Sequence, residues 1–257
     1  MALRFQGVAK RFPSGYTAVE EISLEVPTGR FVSVVGPSGC GKSTLLNMAA
    51  GLMTPTQGSV EVFGEPLEGI NRRASYMFQQ DALLPWKTVL ENISLGPELR
   101  GLDKTAAREA ACEWVDRVGL KGFEGSFPYQ LSGGMRKRAA MAQSWIVKPD
   151  IMLMDEPFSA LDVHTRLRME GVVLELWSAS RQTVLFVTHD LEEAIALADE
   201  VVVLSAGPAS HVVGSYPVDL ARPRSLIDIK TESGFQELYR SIWGDLKKEV
   251  LLSYEKE

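Results

Sequence analysis

Apolar residues change their spacing along this chain, and the changes mark its parts. Between Ala18 and Val26, the residues Ile22, Leu24 and Val26 alternate with polar ones, and Pro27-Thr28-Gly29 closes the run. This is the pattern of a half-buried strand ending in a turn. Phe31-Val32-Ser33-Val34-Val35 is a short run of strand formers that stops at Gly36. After a glycine-rich loop, Ser43 to Ala50 suits a helix, and Ser59 to Gly64 alternates again as a strand. Lys104 to Val118 is rich in Ala, Glu and Arg without Gly or Pro and predicts a helix, as does Gly133 to Val147. The stretch 87–148 therefore reads as a helical insertion.

Strand character returns at Ile151-Met152-Leu153-Met154 and from Thr183 to Thr188. Asp190 to Ala198 predicts a helix, with Asp190 and Glu193 spaced as a capping box. Val201 to Leu204 predicts another strand. Strands alternating with helices imply an α/β core with a largely parallel sheet. Residues 205–224 carry Gly207-Pro208, Gly214 and Pro223 and read as turns. Beyond 233, Phe235, Leu238, Tyr239, Ile242, Leu246 and Val250 recur at helical spacing, predicting an amphipathic helix packed on its own domain. No internal repeat or low-complexity segment interrupts this order.

Composition narrows the function classes. At 257 residues with 45% hydrophobic and 23% charged residues, the chain can bury a sizeable core. Its net charge of −6 argues against nucleic acid as a partner, which calls for a basic footprint. Cys40 and Cys112 form neither a disulfide framework nor a metal-ligand spacing, and this usage fits a reducing compartment. The N-terminus lacks the apolar core of a secretory signal, and no apolar run approaches the roughly 20 residues that span a bilayer. Any work at a membrane is expected to be peripheral.

Three motifs carry chemistry. Gly36-Pro37-Ser38-Gly39-Cys40-Gly41-Lys42-Ser43-Thr44 follows a predicted strand and opens a predicted helix. Glycines let such a loop curl its N–H groups around a phosphate chain, and the helix N-terminus faces the anion. Lys42 is expected to reach the outer phosphates and Ser43 to ligate Mg²⁺. In Ile151-Met152-Leu153-Met154-Asp155-Glu156, four apolar residues end in two acids. A buried strand of this kind delivers its carboxylates to the ligand-binding edge of an open sheet. Asp155 suits a Mg²⁺ partner, and Glu156 a general base or water orienter for attack on a γ-phosphate. In Leu131-Ser132-Gly133-Gly134-Met135 a serine and two glycines open a helix, a second anion site unless it is a simple cap with a flexible lead-in. Two phosphate-type sites in one small domain make sense if one of them serves another subunit.

These motifs, in this order and approximate spacing, resemble the ABC-family ATPases over nearly the whole chain. Gln79 after Phe78 matches the Q-loop, Ser159-Ala160-Leu161-Asp162 the D-loop, and His189 in Val187-Thr188-His189-Asp190 the switch histidine. Phe12 stands where the family places an aromatic on adenine, with Tyr16 nearby as an alternative. The resemblance implies a P-loop, RecA-like α/β core with an antiparallel β subdomain and an inserted helical subdomain. It implies an ATPase domain over 1–220 and a C-terminal extension over 221–257. Two copies would face head to tail on binding ATP and Mg²⁺, with ATP held between Lys42 of one copy and Ser132 and Gly134 of the other. Gln79 would touch Mg²⁺ and the attacking water, His189 the γ-phosphate, and Asp162 would act across the dimer interface.

A finer resemblance is to the importer subunits for nitrate, sulfonates and taurine. It rests on Leu83-Leu84-Pro85-Trp86, Thr88-Val89-Leu90-Glu91-Asn92-Ile93, the signature ending in Met135, and Asp155-Glu156-Pro157-Phe158. Lys137 departs from the glutamine expected in that branch. The implied setting is the cytoplasmic face of the inner membrane, on integral permease subunits and, indirectly, an external solute-binding protein. The contrasting class, an ABC-type mechanical clamp in DNA repair or translation, tends to carry coiled-coil insertions or two fused ATPase units. This chain has one P-loop and no long heptad segment.

Overall fold

The computed structural model describes residues 1–159 and 161–255, so Ala160 of the D-loop motif lies outside the described residues. The strands β1 (Leu3–Arg11), β2 (Thr17–Val26), β4 (Gln57–Val62) and β5 (Glu65–Pro66) form an antiparallel sheet in the order β2-β1-β4-β5. A second sheet has the order β10-β9-β3-β8-β7-β6. Its strands β3 (Phe31–Val35), β6 (Ala74–Met77), β7 (Ile151–Asp155), β8 (Thr183–Val187) and β9 (Glu200–Leu204) are parallel. β10 (Val212–Pro217) is an antiparallel edge strand, inside a stretch whose Gly and Pro content reads as turns alone. β3 and β8 are buried at every position, which is why they appear as continuous apolar runs rather than as alternation.

Two apolar layers cover the parallel sheet. On one face, helix α1 (Lys42–Ala49) and the antiparallel sheet enclose a core that includes Phe5, Ile22, Val34, Leu45, Leu46 and Leu153. On the other, α5 (Val163–Ser180), α6 (Leu191–Leu197) and α7 (Ser233–Tyr254) bury Phe31, Phe158, Trp177, Phe186, Ile195 and Ile242. The amphipathic tail is thus part of the domain: Phe235, Ile242 and Leu246 are buried in it, with Leu238, Tyr239 and Val250 packed alongside.

The helical insertion contains α2 (Val89–Leu99), α3 (Lys104–Arg117) and α4 (Gly133–Trp145) around a separate cluster with Ile93, Val115, Leu120 and Ala139. Its helices begin where side chains satisfy the free N–H groups. Thr88 and Glu91 form a reciprocal capping box on α2. Asp103 caps α3 and Ser132 caps α4. The box expected at Asp190 and Glu193 is one-sided. Asp190 Oδ1 accepts the N–H groups of Glu192 and Glu193, but Glu193 accepts the Thr188 hydroxyl instead (2.7 Å). The Asp190 N–H donates to Thr188 Oγ1, which leaves nothing for Glu193 to cap.

Candidate functional site at the sheet edge

The C-terminal ends of β3, β7 and β8 gather the charged residues. The loop after β3 enters α1 through Gly41, at φ 88°. A Cβ there would meet Val19 Cγ1 at 2.5 Å and Ala18 O at 3.2 Å, so this position needs glycine both for its backbone and for its close approach to β2. Lys42, 6% exposed, donates to Gly36 O (2.9 Å) and Pro37 O (3.0 Å), which holds its ammonium against the loop. Cys40 is wholly buried below, and burial pushes its thiol up despite the nearby Lys42.

Asp155 ends β7, and the adjacent β8 sets its height by pairing it with Val187. Its Oδ1 accepts the Ser43 hydroxyl (3.1 Å) and its Oδ2 the Tyr76 hydroxyl (3.2 Å). Burial raises its pKa, and the two hydrogen bonds oppose that rise. Tyr76, in β6, is a site neighbour that sequence reasoning missed. Its place follows from the parallel register of β6 on β7, which no local pattern records.

Glu156 adopts φ 42°, a left-handed conformation uncommon for a non-glycine residue and a form of strain that clusters at functional sites. Its N–H donates to Val187 O (2.9 Å), which fixes the turn. Its Oε1 lies 4.0 Å from Lys42 Nζ and its Oε2 lies 2.9 Å from His189 Nδ1. Lys42, Ser43, Asp155, Glu156 and His189 therefore meet at one edge. They place an ammonium, a hydroxyl, two carboxylates and an imidazole side by side next to the loop.

The other candidates fall elsewhere. Gln79 donates to Ser159 Oγ (3.4 Å), and no hydrogen bond joins it to Ser43 or Asp155 among the described residues. Phe12 and Tyr16 stand with ring centres 6.3 Å apart in the β1–β2 turn, and the Tyr16 hydroxyl donates to Gly39 O (3.2 Å). That bond ties the turn to the phosphate loop. Ser132, Gly133 and Gly134 line a separate cavity of about 370 Å³ with Leu161, Asp162 and Thr165. Asp162 caps α5 there through the N–H groups of His164 and Thr165. A Cβ at Gly134 would lie 2.8 Å from Thr165 Cγ2, so a larger residue there needs the Thr165 side chain to shift. No hydrogen bond or ion pair joins Lys42 to Ser132 among the described residues.

A family model described as ABC transporter matches residues 19–159, from β2 through the phosphate loop to the acids of β7. The chain belongs to the ABC transporter family. It is an ATP-binding subunit and an ATPase of that family. An uncharacterised ABC transporter ATP-binding protein of Methanocaldococcus jannaschii is 45% identical over 92% of this chain and 86% of its own. A taurine import ATP-binding protein of Yersinia pseudotuberculosis is 44% identical over 77% of this chain and 78% of its own. The fold matches a solved dimeric bacterial ABC transporter cassette with a TM-score of 0.76 and 30% identity, over 85% of this chain and all of the other. A structure of a cassette bound to ADP and phosphate after hydrolysis matches at 0.75, also with 30% identity. No helix of the described residues of this ABC subunit is long and apolar enough to cross a membrane.

Proposed function

We propose that this ATPase powers an importer of taurine-like small solutes, working as an ATP-bridged pair of copies on membrane permease subunits. The observation that carries the two-copy reading is the separation, within one chain, of Lys42 and Glu156 from the Ser132–Gly134 helix start. Both are phosphate-type sites, and a second copy facing head to tail would supply what each lacks. The solved dimeric cassette of the same fold supports a pair of copies.

Within each site, Lys42 would hold the outer phosphates and Glu156 would take the proton of the attacking water, with His189 steadying the carboxylate and the γ-phosphate. Ser43 and Asp155, 3.1 Å apart, suit Mg²⁺, which takes one or two protein oxygens beside phosphate and water. The bound ion would neutralise phosphate charge. Gln79 would reach this group only by leaving Ser159. Phe12 or Tyr16 would stack on the base. The exposed Trp86, just before the helical insertion, and Tyr129 within it are apolar surface available to a permease. An external solute-binding protein would act through that permease, and the setting would be the cytoplasmic face of the inner membrane, without nucleic acid. The name of the Yersinia relative supports the solute class.

Glu156→Gln tests the chemistry. It should bind ATP as the parent does, lose hydrolysis by at least ~100-fold as expected on removing a general base, and collect as an ATP-bound dimer on size exclusion. Parental turnover in this variant would remove Glu156 from the mechanism. Co-purification of the tagged chain from gently solubilised membranes tests the transport reading. A polytopic protein in equal amount supports it, and recovery of soluble partners alone counts against it.

A further inference from the structure

Lys137 is the residue at which this chain departs from the branch it resembles, and it is 4% exposed. A buried ammonium needs partners. Its Nζ donates to Gln79 O (2.9 Å) and Phe78 O (3.5 Å), and lies 3.2 Å from Asp81 Oδ1. Asp81 Oδ1 is buried and makes no hydrogen bond, so the ammonium is what balances it. Its other oxygen lies 3.4 Å from Arg136 Nε. A neutral glutamine could donate to a backbone carbonyl but could not supply the charge that balances Asp81.

The segment that Lys137 grips leads to the reacting group. Gln79 Nε2 donates to Ser159 Oγ (3.4 Å), and the Ser159 hydroxyl donates to Glu156 O (3.0 Å). Lys137 sits on α4, whose first turn is capped by Ser132. A helix moves as one body, so a displacement at Ser132 is felt at Lys137. Three hydrogen bonds then connect Lys137 to the backbone of Glu156.

We propose that Lys137 is a positioning residue that couples the N-terminal turns of α4 to the Gln79 segment: phosphate seated on Ser132–Gly134 sets the position of Gln79 and Glu156 in the same chain. The partner copy's ATP would in this way prepare the neighbouring site for hydrolysis. This rests on the two-copy reading above. Two sites coupled through a rigid element and a polar chain should respond cooperatively, and interruption of the chain should uncouple them without preventing either from binding.

The test compares the parent with Lys137→Met, Lys137→Gln and the double variant Asp81→Asn/Lys137→Met, each also in the Glu156→Gln background. Steady-state ATPase is read against ATP concentration, and ATP-driven dimerisation by size exclusion. Lys137→Met should lower kcat by ~5-fold or more and bring the Hill coefficient toward ~1, with dimerisation retained. Lys137→Gln should fall between it and the parent. The double variant leaves no unpaired buried charge and should fold while remaining uncoupled. Parental kcat and Hill coefficient in the double variant would show a merely structural pair and overturn the proposal. Absence of ATP-driven dimerisation already in the Glu156→Gln parent would overturn the two-copy reading, and this inference with it.

Discussion

Tyr76 shows how the site depends on a residue that no motif contains. Its hydroxyl donates to Asp155 Oδ2, and burial, then the Asp155 charge and this bond, push the Tyr76 pKa well above the usual tyrosine range. On the other side of the bond, the donation holds the Asp155 carboxyl down against desolvation. Tyr76→Phe removes that support, so the Asp155 pKa should rise further above its ordinary value. A carboxylate needed in its ionised form is then lost at a higher pH on acidification. We expect the acid limb of the ATPase pH profile to move up in Tyr76→Phe while ATP affinity at pH 8 stays near the parent's. An unmoved acid limb would mean that this bond does not govern Asp155. Lys42, Ser43, Asp155, Glu156 and His189 were legible in the sequence because each belongs to a short run whose order reflects chemistry. Tyr76 and Asp81 were not, and Ser159 was legible only as part of the D-loop motif without its bond to Gln79, since these contacts come from strand register and loop packing between segments far apart in the chain.

Among the elements, the junction of α5 and α6 stores an electrostatic cost. Glu170 on α5 is 3% exposed and Glu193 on α6 is 5% exposed, and burial pushes both up to about 7. Glu193 has the Thr188 hydroxyl and lies 3.5 Å from Arg166, whereas Glu170 has no hydrogen bond among the described residues. A carboxyl whose folded pKa exceeds its unfolded value holds its proton longer in the native state. Its contribution to stability is therefore full below about pH 4.5 and lost as pH rises through about 7. Glu170→Gln never ionises, so denaturant unfolding should find it more stable than the parent at pH 8 and nearly equal at pH 4. The rise from 4.5 to about 7 sets an upper limit of ~3–4 kcal/mol on the gain. The coupling between the two carboxyls reduces it. Equal stability of the two proteins at both pH values would show that Glu170 does not pay this cost. α6 was readable in the sequence and α7 from its apolar spacing, whereas no expectation covered α5. The capping arrangement was not, because Thr188 competes for both of the groups that a capping box would use. β10 was hidden by its own Gly and Pro, which an edge strand tolerates because one side of it stays unpaired.

For the whole molecule, the two-copy reading makes a demand that no single variant meets. Lys42→Ala should lack a functional phosphate loop but keep an intact Ser132–Gly134 helix start. Ser132→Arg should do the reverse, its bulk and charge filling the cavity beside Gly134 and Asp162. In a homodimer of either variant, both ATP sites would combine one intact half with one damaged half. In a mixed dimer, Lys42 of the Ser132→Arg copy would face Ser132 of the Lys42→Ala copy, and one site would be whole. The second site would collect both defects. With Glu156→Gln in each chain to prevent turnover and a different tag on each, ATP should make the two variants capture one another, while neither captures a copy of itself. One bridged ATP in place of two should leave the mixed dimer weaker than the parent but still nucleotide-dependent, because association is driven by a ligand that binds both halves at once. Same-variant capture as strong as mixed capture would mean that each chain completes its own site. The distance between Lys42 and Ser132 along the fold would then need a different explanation.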